Sequence, residues 1–356
     1  MEVTLFKDMV AEGWFSMDRY ANSLADQLST LNFPFSVFCA EPPLGFSFIK
    51  MFYRKVVYPR LAQRHQGDIN HILDHSYGHL LNFLDGQRTV VTCHDLIPLD
   101  FETDQRVLNE FQETVSSLAR AKFIITDSES TKKDLIEKLS ISTEKIETIP
   151  LGVNPIFHPL ATREERQNYV EKFNLPKGRI ILSFGNNLSY KNVEGILRAF
   201  SQVLRVEGGV YLVRVGSLTS SQAHLVQSLG IADNYLEVKK ETDEDLVGLY
   251  NCADVFLSPS FKEGFGLPVL EALACGLPVV ISAGTSLAEI AGKGGVYVNP
   301  TNTDEIAAAV LGVLRGQLSF EQRGTALVDR AALFSWEKTA RQTSAVYERL
   351  YRSLIK

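Results

Sequence analysis

The chain has 356 residues, 45% hydrophobic and 22% charged, which is enough for two hydrophobic cores and leaves no part compositionally committed to disorder. Its 42 acidic against 36 basic side chains give a net charge of −6, which excludes the global basic field of a nucleic-acid binder and confines any polyanion site to a local patch. Cys39, Cys93, Cys252 and Cys275 form no C-x-x-C pair, which argues against a zinc site or disulfide framework and predicts reduced, buried thiols.

The N-terminal MEVTLFKDMVAEGW carries charges through its apolar stretch and lacks the basic start and cleavage site of a signal peptide. No uncharged apolar run approaches the ~20 residues of a membrane span, so a cytoplasmic chain, at most peripherally attached to a membrane, is expected. Between Pro42 and Gly67 there is no acidic residue, while Lys50, Arg54, Lys55, Arg60 and Arg64 are interleaved with Phe46, Phe48, Met51, Phe52, Tyr53 and Tyr58. Residues 46–64 therefore suit either peripheral contact with anionic lipid or a lipid-linked diphosphate, or a buried helix whose cationic tips reach solvent.

Buried strands are predicted at Thr89–Cys93 and Phe123–Thr126, with helices over Val107–Leu118 and Ser130–Leu139 and a short strand at Lys145–Ile149. From Pro150 to about Phe173 the text turns irregular and reads as a linker. Strand and helix alternation resumes with Arg179–Phe184, then Val193, Ile196, Leu197, Phe200, Val203 and Leu204 at helical spacing, then strands at Val210–Val215, Tyr235–Val238 and Val255–Leu257. A helix opened by Thr242, with Asp245 three residues on, has the form of a capping box. Such alternation predicts an α/β chain of two parallel-sheet domains, 1–170 and 171–335.

The segment SPSFKEGFGLPVLEALACGLPVVIS, residues 258–282, carries the chemistry. A strand ends at Ser258, Glu263, Gly264 and Gly266 form a loop, Pro268 suits a first helical position, and Gly276 with Pro278 stops the helix. A helix N-terminus beyond a strand's carboxyl end suits a diphosphate, and glycines permit close backbone approach. Glu263 and Glu271 could grip sugar hydroxyls at either side of it, or merely complement the helix dipole.

EGFGLPVLE followed by ALACGLPVV resembles the Glu-x7-Glu signature of retaining GT-B glycosyltransferases, particularly glycosyltransferase family 4. FGNNLSYKN, LYNCADVFLSPS, GTSLAEIAG and VNPTNTDEIAAAV resemble the blocks around that family's donor site; VVTCHDLIPLDF and IETIPLGVNPIFHP resemble its N-terminal and interdomain blocks. The resemblance implies a GT-B fold, two Rossmann-like domains facing a central cleft, with residues 336–356 a terminal helix crossing back to the N-terminal domain. It implies retaining, metal-independent hexosyl transfer with no cofactor beyond a nucleotide-diphosphate sugar as co-substrate, GDP-mannose slightly favoured over UDP- or dTDP-sugars. The acceptor would be a saccharide or lipid-linked saccharide, as in relatives that build bacterial surface polysaccharides, and no nucleic-acid partner is expected.

By the same resemblance Glu271 binds the ribose, and Glu263 with the backbone of Gly264, Phe265 and Gly266 holds the donor sugar. Leu267, Val269 and Leu270 lie against the diphosphate, Val269 and Leu270 through their amides. Lys191 neutralises the leaving diphosphate, with Asn186 and Asn187 beside it, and His94 contacts the donor sugar; an exposed, unpaired lysine and a satisfied polar histidine are the plainer readings of Lys191 and His94. Asp95 is read as turn-capping or as fixing the imidazole tautomer.

Two departures from the family pattern stand out. Many relatives have arginine beside the lysine or just after the strand, whereas Tyr190 and Asn186 stand here, so one expected guanidinium is missing at the phosphates. Ser16 and Asp18 replace glycines of the family's N-terminal turn. Another GT-B enzyme such as an epimerase, a glycoside hydrolase using the two glutamates, and a non-catalytic nucleotide-sugar-binding partner subunit are the alternatives.

Overall fold

The computed structural model describes residues 1–42 and 47–355, apart from the side chains of Ala11, Phe15, Ser47 and Phe48. Two compact units emerge, Met1–Gly152 with Ser335–Lys356, and Val153–Phe334.

In the first unit six parallel strands, β1 (Val3–Phe6), β2 (Phe35–Phe38), β3 (Ile69–Ile72), β4 (Thr89–Cys93), β5 (Phe123–Thr126) and β6 (Ile146–Thr148), lie in the order β2-β1-β3-β4-β5-β6. β1, β3 and β4 are buried along their whole length, as apolar strands covered on both faces must be. The order reverses between β1 and β3, whose carboxyl ends lead to Asp8 and Asp74.

The C-terminal helix Trp336–Leu354 belongs to this unit and packs on the helix Phe15–Thr30. Polar groups fix it in register: the Tyr347 hydroxyl meets His71 Nδ1 at 2.5 Å, His71 Nε2 meets Thr92 Oγ1 at 2.8 Å, and Thr339 donates to the Pro150 carbonyl at 2.7 Å. Burial and the nearby His94 push His71 down to about 3, so it is a neutral ring at physiological pH. Gly152 lies against the start of the helix, where a Cβ would come within 2.0 Å of the Trp336 nitrogen.

The second unit holds β7 (Arg179–Phe184), β8 (Val210–Val215), β9 (Tyr235–Val238), β10 (Val255–Ser258), β11 (Val279–Ser282) and β12 (Gly295–Val298), all parallel, in the order β12-β11-β10-β7-β8-β9. Counted within the unit this is 3-2-1-4-5-6, a doubly wound dinucleotide-binding order whose reversal lies between β7 and β10. The helix Val193–Val206 buries Val193, Ile196, Leu197, Phe200 and Val203 in the core beneath them.

The boundary between the units falls at Gly152 rather than at 170, because the expected linker is structured. Its charged stretch Arg163–Arg166 is the first turn of a helix, Arg163–Lys172, opened by a Thr162/Glu165 capping box. That helix packs on Asp243–Cys252: Lys172 Nζ meets Asp245 Oδ1 at 2.5 Å, and Tyr169 lies so close to Gly248 that a Cβ there would be 2.1 Å from its ring. All four cysteines are free; Cys93, Cys252 and Cys275 are buried, whereas Cys39 is only half-buried.

Candidate functional site

The order reversal between β7 and β10 places two sequence-predicted segments side by side in the second unit: the loop 185–191 after β7 and the loop 259–266 after β10. Open parallel sheets bind ligands beyond strand carboxyl ends at such a reversal. Lys191 Nζ lies 2.8 Å from both carboxylate oxygens of Glu263, and Gly185 faces the Lys191 methylenes. Lys191 is thus a partly buried, paired cation, and the reading of it as an unpaired surface lysine is incorrect. Ser286 Oγ anchors the loop by donating to the Glu263 carbonyl at 2.8 Å.

Gly266 caps the short helix Leu267–Ala274 with φ +113°, a conformation that L side chains rarely adopt, and a Cβ would also lie 2.3 Å from Leu287 Cδ2. Pro268 is the second helical residue, not the first. The amides of Val269 and Leu270 both donate to the Gly266 carbonyl, at 2.9 and 3.2 Å, which corrects the expectation that they are free for a ligand. Since Pro268 has no N–H, the helix tip presents the Leu267 amide, with Phe265 and Gly266 leading into it. Phe265 itself is buried and packs edge-on to Phe334.

One turn in, Glu271 is only 2% exposed and accepts a hydrogen bond from the Tyr250 hydroxyl at 3.0 Å. Tyr250 had no signal beyond an apolar helical position, and its hydroxyl holds this carboxylate. Asn186 is exposed, with its Oδ1 accepting from the Leu188 amide at 3.2 Å, and Asn187 bridges to the next strand loop by donating to the Ser217 carbonyl. A cavity of about 430 Å³ opens at the ends of β7, β8 and β9, lined by Gly185, Asn186, Gly216, Ser217, Lys239 and Lys240 among others.

His94 lies in the first unit at the end of β4, 4% exposed, edge-on to Tyr20 at 4.8 Å. Its Nδ1 meets Asp127 Oδ2 at 2.6 Å and its Nε2 meets the Leu73 carbonyl at 3.0 Å. A carbonyl only accepts, so Nε2 carries a proton, and a carboxylate against Nδ1 favours a second. Burial opposes the charge, yet the charge and hydrogen bond of Asp127, with Asp74 beyond, outweigh it and push His94 up to about 10. Both ring nitrogens are therefore occupied within the unit. Asp127, not Asp95, orients the ring; Asp95 caps the following turn by accepting from the Ile97 amide at 2.9 Å.

Asp8 stands at the first unit's own order reversal, 6% exposed, with Oδ2 unpaired; burial first, then the Asp74 and Glu12 carboxylates, pushes it up to about 8. Lys7 beside it pairs with Asp18 at 2.9 Å, so the aspartate that departs from the family pattern is tied to the end of β1. In the 46–64 segment Phe46 falls outside the described residues. Arg54 pairs with Glu12 at 3.3 Å and sits over the Tyr77 ring, and Lys55 pairs with Glu110 at 2.7 Å, while Met51 and Phe52 are each 52% exposed. Among the described residues no helix is long and apolar enough to cross a membrane, and no cluster of three His, Cys, Asp or Glu side chains could hold a metal ion.

Family models match both units in chain order: Glycosyltransferase Family 4 over residues 17–156 and Glycosyl transferases group 1 over 165–326. The O-antigen chain mannosyltransferase B of Escherichia coli is 31% identical over 273 residues, covering 74% of this chain and 71% of that protein. The chain belongs to glycosyltransferase family 4.

This family 4 glycosyltransferase is also 30% identical to the serotype-specific mannosyltransferase WbdA of Escherichia coli, over 75% of the chain but about a third of that longer protein, at 34%. The MMP alpha-(1->4)-mannosyltransferase of Mycolicibacterium hassiacum is 33% identical, over 64% of the chain and 54% of that protein. Among solved structures, the sucrose-phosphate synthase of Thermosynechococcus elongatus superposes with a TM-score of 0.80 at 21% identity, covering 99% of this chain and 100% of that one. Anabaena HepE, solved in complex with UDP and glucose, gives 0.77 at 15% identity, covering 98% and 99%. These likenesses establish the GT-B fold with its two Rossmann-like units.

Proposed function

We propose that this glycosyltransferase moves a hexose from a nucleotide-diphosphate sugar, GDP-mannose being favoured, to a saccharide or lipid-linked saccharide acceptor with retention of anomeric configuration. The observation that carries the reading is the convergence, at the β7/β10 reversal, of the helix tip at Gly266–Leu267, the Lys191–Glu263 pair and Glu271. In this reading the tip amides and the Lys191 ammonium receive the diphosphate, Glu271 the ribose and Glu263 the sugar hydroxyls. The three mannosyltransferases among its relatives described above support mannose.

The costly event in transfer is departure of the nucleoside diphosphate, and the developing negative charge on it is what a fixed cation and aligned amides stabilise. No covalent nucleophile is invoked: the leaving phosphate takes the acceptor proton as the new glycosidic bond forms on the face it vacates. Protein residues supply orientation and electrostatics. His94, held as an imidazolium, supplies fixed positive charge in the first unit rather than acting as a base.

A thermal-shift screen of GDP-mannose, UDP-glucose, dTDP-rhamnose and ADP-glucose tests donor binding, since a ligand of the native state stabilises by mass action. Release of nucleoside diphosphate in the presence of mannosylated acceptors then tests transfer. Absence of stabilisation by every donor would defeat the proposal.

A further inference from the structure

The chain lacks a family-type arginine at position 186, and a buried arginine lies one strand away. Arg214, next to last in β8, is 1% exposed and is the largest fully buried side chain among the described residues. Its Nη2 donates to the Gly185 carbonyl at 2.9 Å, the Asn186 carbonyl at 3.0 Å and Asn187 Oδ1 at 3.2 Å, and its Nη1 reaches Ser183 Oγ at 3.3 Å. Its Nε has no partner, and the carboxylate that supports its charge, Glu237 at the register position opposite on β9, makes no ion pair with it. A buried guanidinium with no direct ion pair is expensive for a purely structural device, because an apolar side chain would fill the same space without desolvating a charge.

Peptide geometry shows what this arrangement achieves. In a trans peptide the C=O and the N–H of the next residue point in opposite directions. Arg214 holds the carbonyls of Gly185 and Asn186 toward itself, so the amides of Asn186 and Asn187 are turned the other way, and neither has a partner among the described residues. Two successive outward amides make an anion-binding concavity. Gly216 lets the β8 end approach, since a Cβ there would lie 2.4 Å from the Gly185 oxygen, and Asn187 ties the two loops through the Ser217 carbonyl.

We infer that Arg214 is a positioning residue for the diphosphate of the donor: from beneath the 185–187 loop it aims the Asn186 and Asn187 amides at the phosphate and places its own charge behind them. The inference rests on the donor reading given above.

The test is calorimetric titration of the full chain with GDP, UDP, guanosine and uridine, comparing wild type with Arg214→Met and Arg214→Lys. The wild type binds at least one nucleoside diphosphate. Arg214→Met weakens that affinity roughly 10- to 100-fold while leaving the matching nucleoside within about twofold, and Arg214→Lys, which keeps the charge but not the fork, falls between. Should the methionine variant fail to fold, Asn187→Ala, which cuts one strut without uncovering the charge, weakens the diphosphate alone by about threefold or more. Equal losses for nucleoside and diphosphate, or no loss in folded Arg214→Met, would overturn the role of Arg214 while leaving the donor site standing. A wild type that binds none of the four would overturn the donor reading and this inference together.

Discussion

The Lys191–Glu263 pair gives the sharpest prediction, because its two halves answer substitution with opposite signs. Lys191 Nζ bridges both oxygens at 2.8 Å, and the side chains are only 19% and 10% exposed. Lys191→Met leaves the Glu263 carboxylate nearly buried without its cation, at a cost of about 2–3 kcal/mol to the second unit. It also removes the ammonium proposed to receive the diphosphate, so nucleoside diphosphate affinity falls roughly 10- to 100-fold. Glu263→Gln keeps an oxygen that accepts from Lys191 but deletes a charge that repels phosphate. Two unit charges ~6 Å apart at an effective dielectric of ~20 repel by ~3 kcal/mol. Screening at a partly open site leaves roughly 1 kcal/mol, a gain of about fivefold in nucleoside diphosphate affinity. Sugar transfer nevertheless falls about 100-fold or more, because the sugar loses its carboxylate. Calorimetry with the preferred nucleoside diphosphate, and transfer rates with its sugar, read both arms. If Glu263→Gln weakens the nucleoside diphosphate as Lys191→Met does, the pair is a structural clamp and the reasoning fails.

Gly266→Ala forces a Cβ against Leu287 at φ +113°, so donor affinity falls at least about tenfold while tryptophan fluorescence, whose reporters Trp14 and Trp336 both lie in the first unit, is unchanged. Gly152→Ala does the reverse: its Cβ would meet backbone at 2.0 Å, and the urea midpoint read by those tryptophans drops by an amount equivalent to about 2–3 kcal/mol. Asp8 and His94 make the first unit sensitive to base. The folded-state value of Asp8, about 8, exceeds its ordinary 3.8, and that of His94, about 10, exceeds 6.5. Each group's contribution is complete below its ordinary value and lost as pH rises through its folded value. The same urea midpoint therefore declines from pH 6.5 to 10, and Asp8→Asn flattens the part below about pH 8; an unaltered slope in that variant would count against the assignment.

Strand positions were legible because apolar runs such as Thr89–Cys93, Arg179–Phe184 and Val210–Val215 are bounded by turn and helix signals, and the structure returns those bounds unchanged. The Glu263, Gly264 and Gly266 spacing likewise placed the loop, and the helix start to within one residue, because glycine and proline restrict the backbone locally. Arg163–Lys172 escaped notice because only Tyr169 and Val170 break its polar run, leaving no apolar periodicity; its Thr162/Glu165 capping box was the available signal. Arg214 and Asp127 escaped for a different reason. A charge in or just after an apolar strand reads as solvent-facing, and only the fold reveals the oxygens that surround Arg214 or the imidazole that meets Asp127. Free amides cannot be read from sequence at all: nothing in it separates Val269 and Leu270, whose amides donate to the Gly266 carbonyl, from Asn186 and Asn187, whose amides have no partner among the described residues.

Donor binding at the β7/β10 reversal can be read most directly by hydrogen–deuterium exchange with and without GDP-mannose, UDP-glucose and dTDP-rhamnose. The productive donor is expected to slow exchange in peptides spanning 184–191 and 262–272. Protection by a donor that spares both segments, with exchange there unchanged, would contradict donor binding at the reversal.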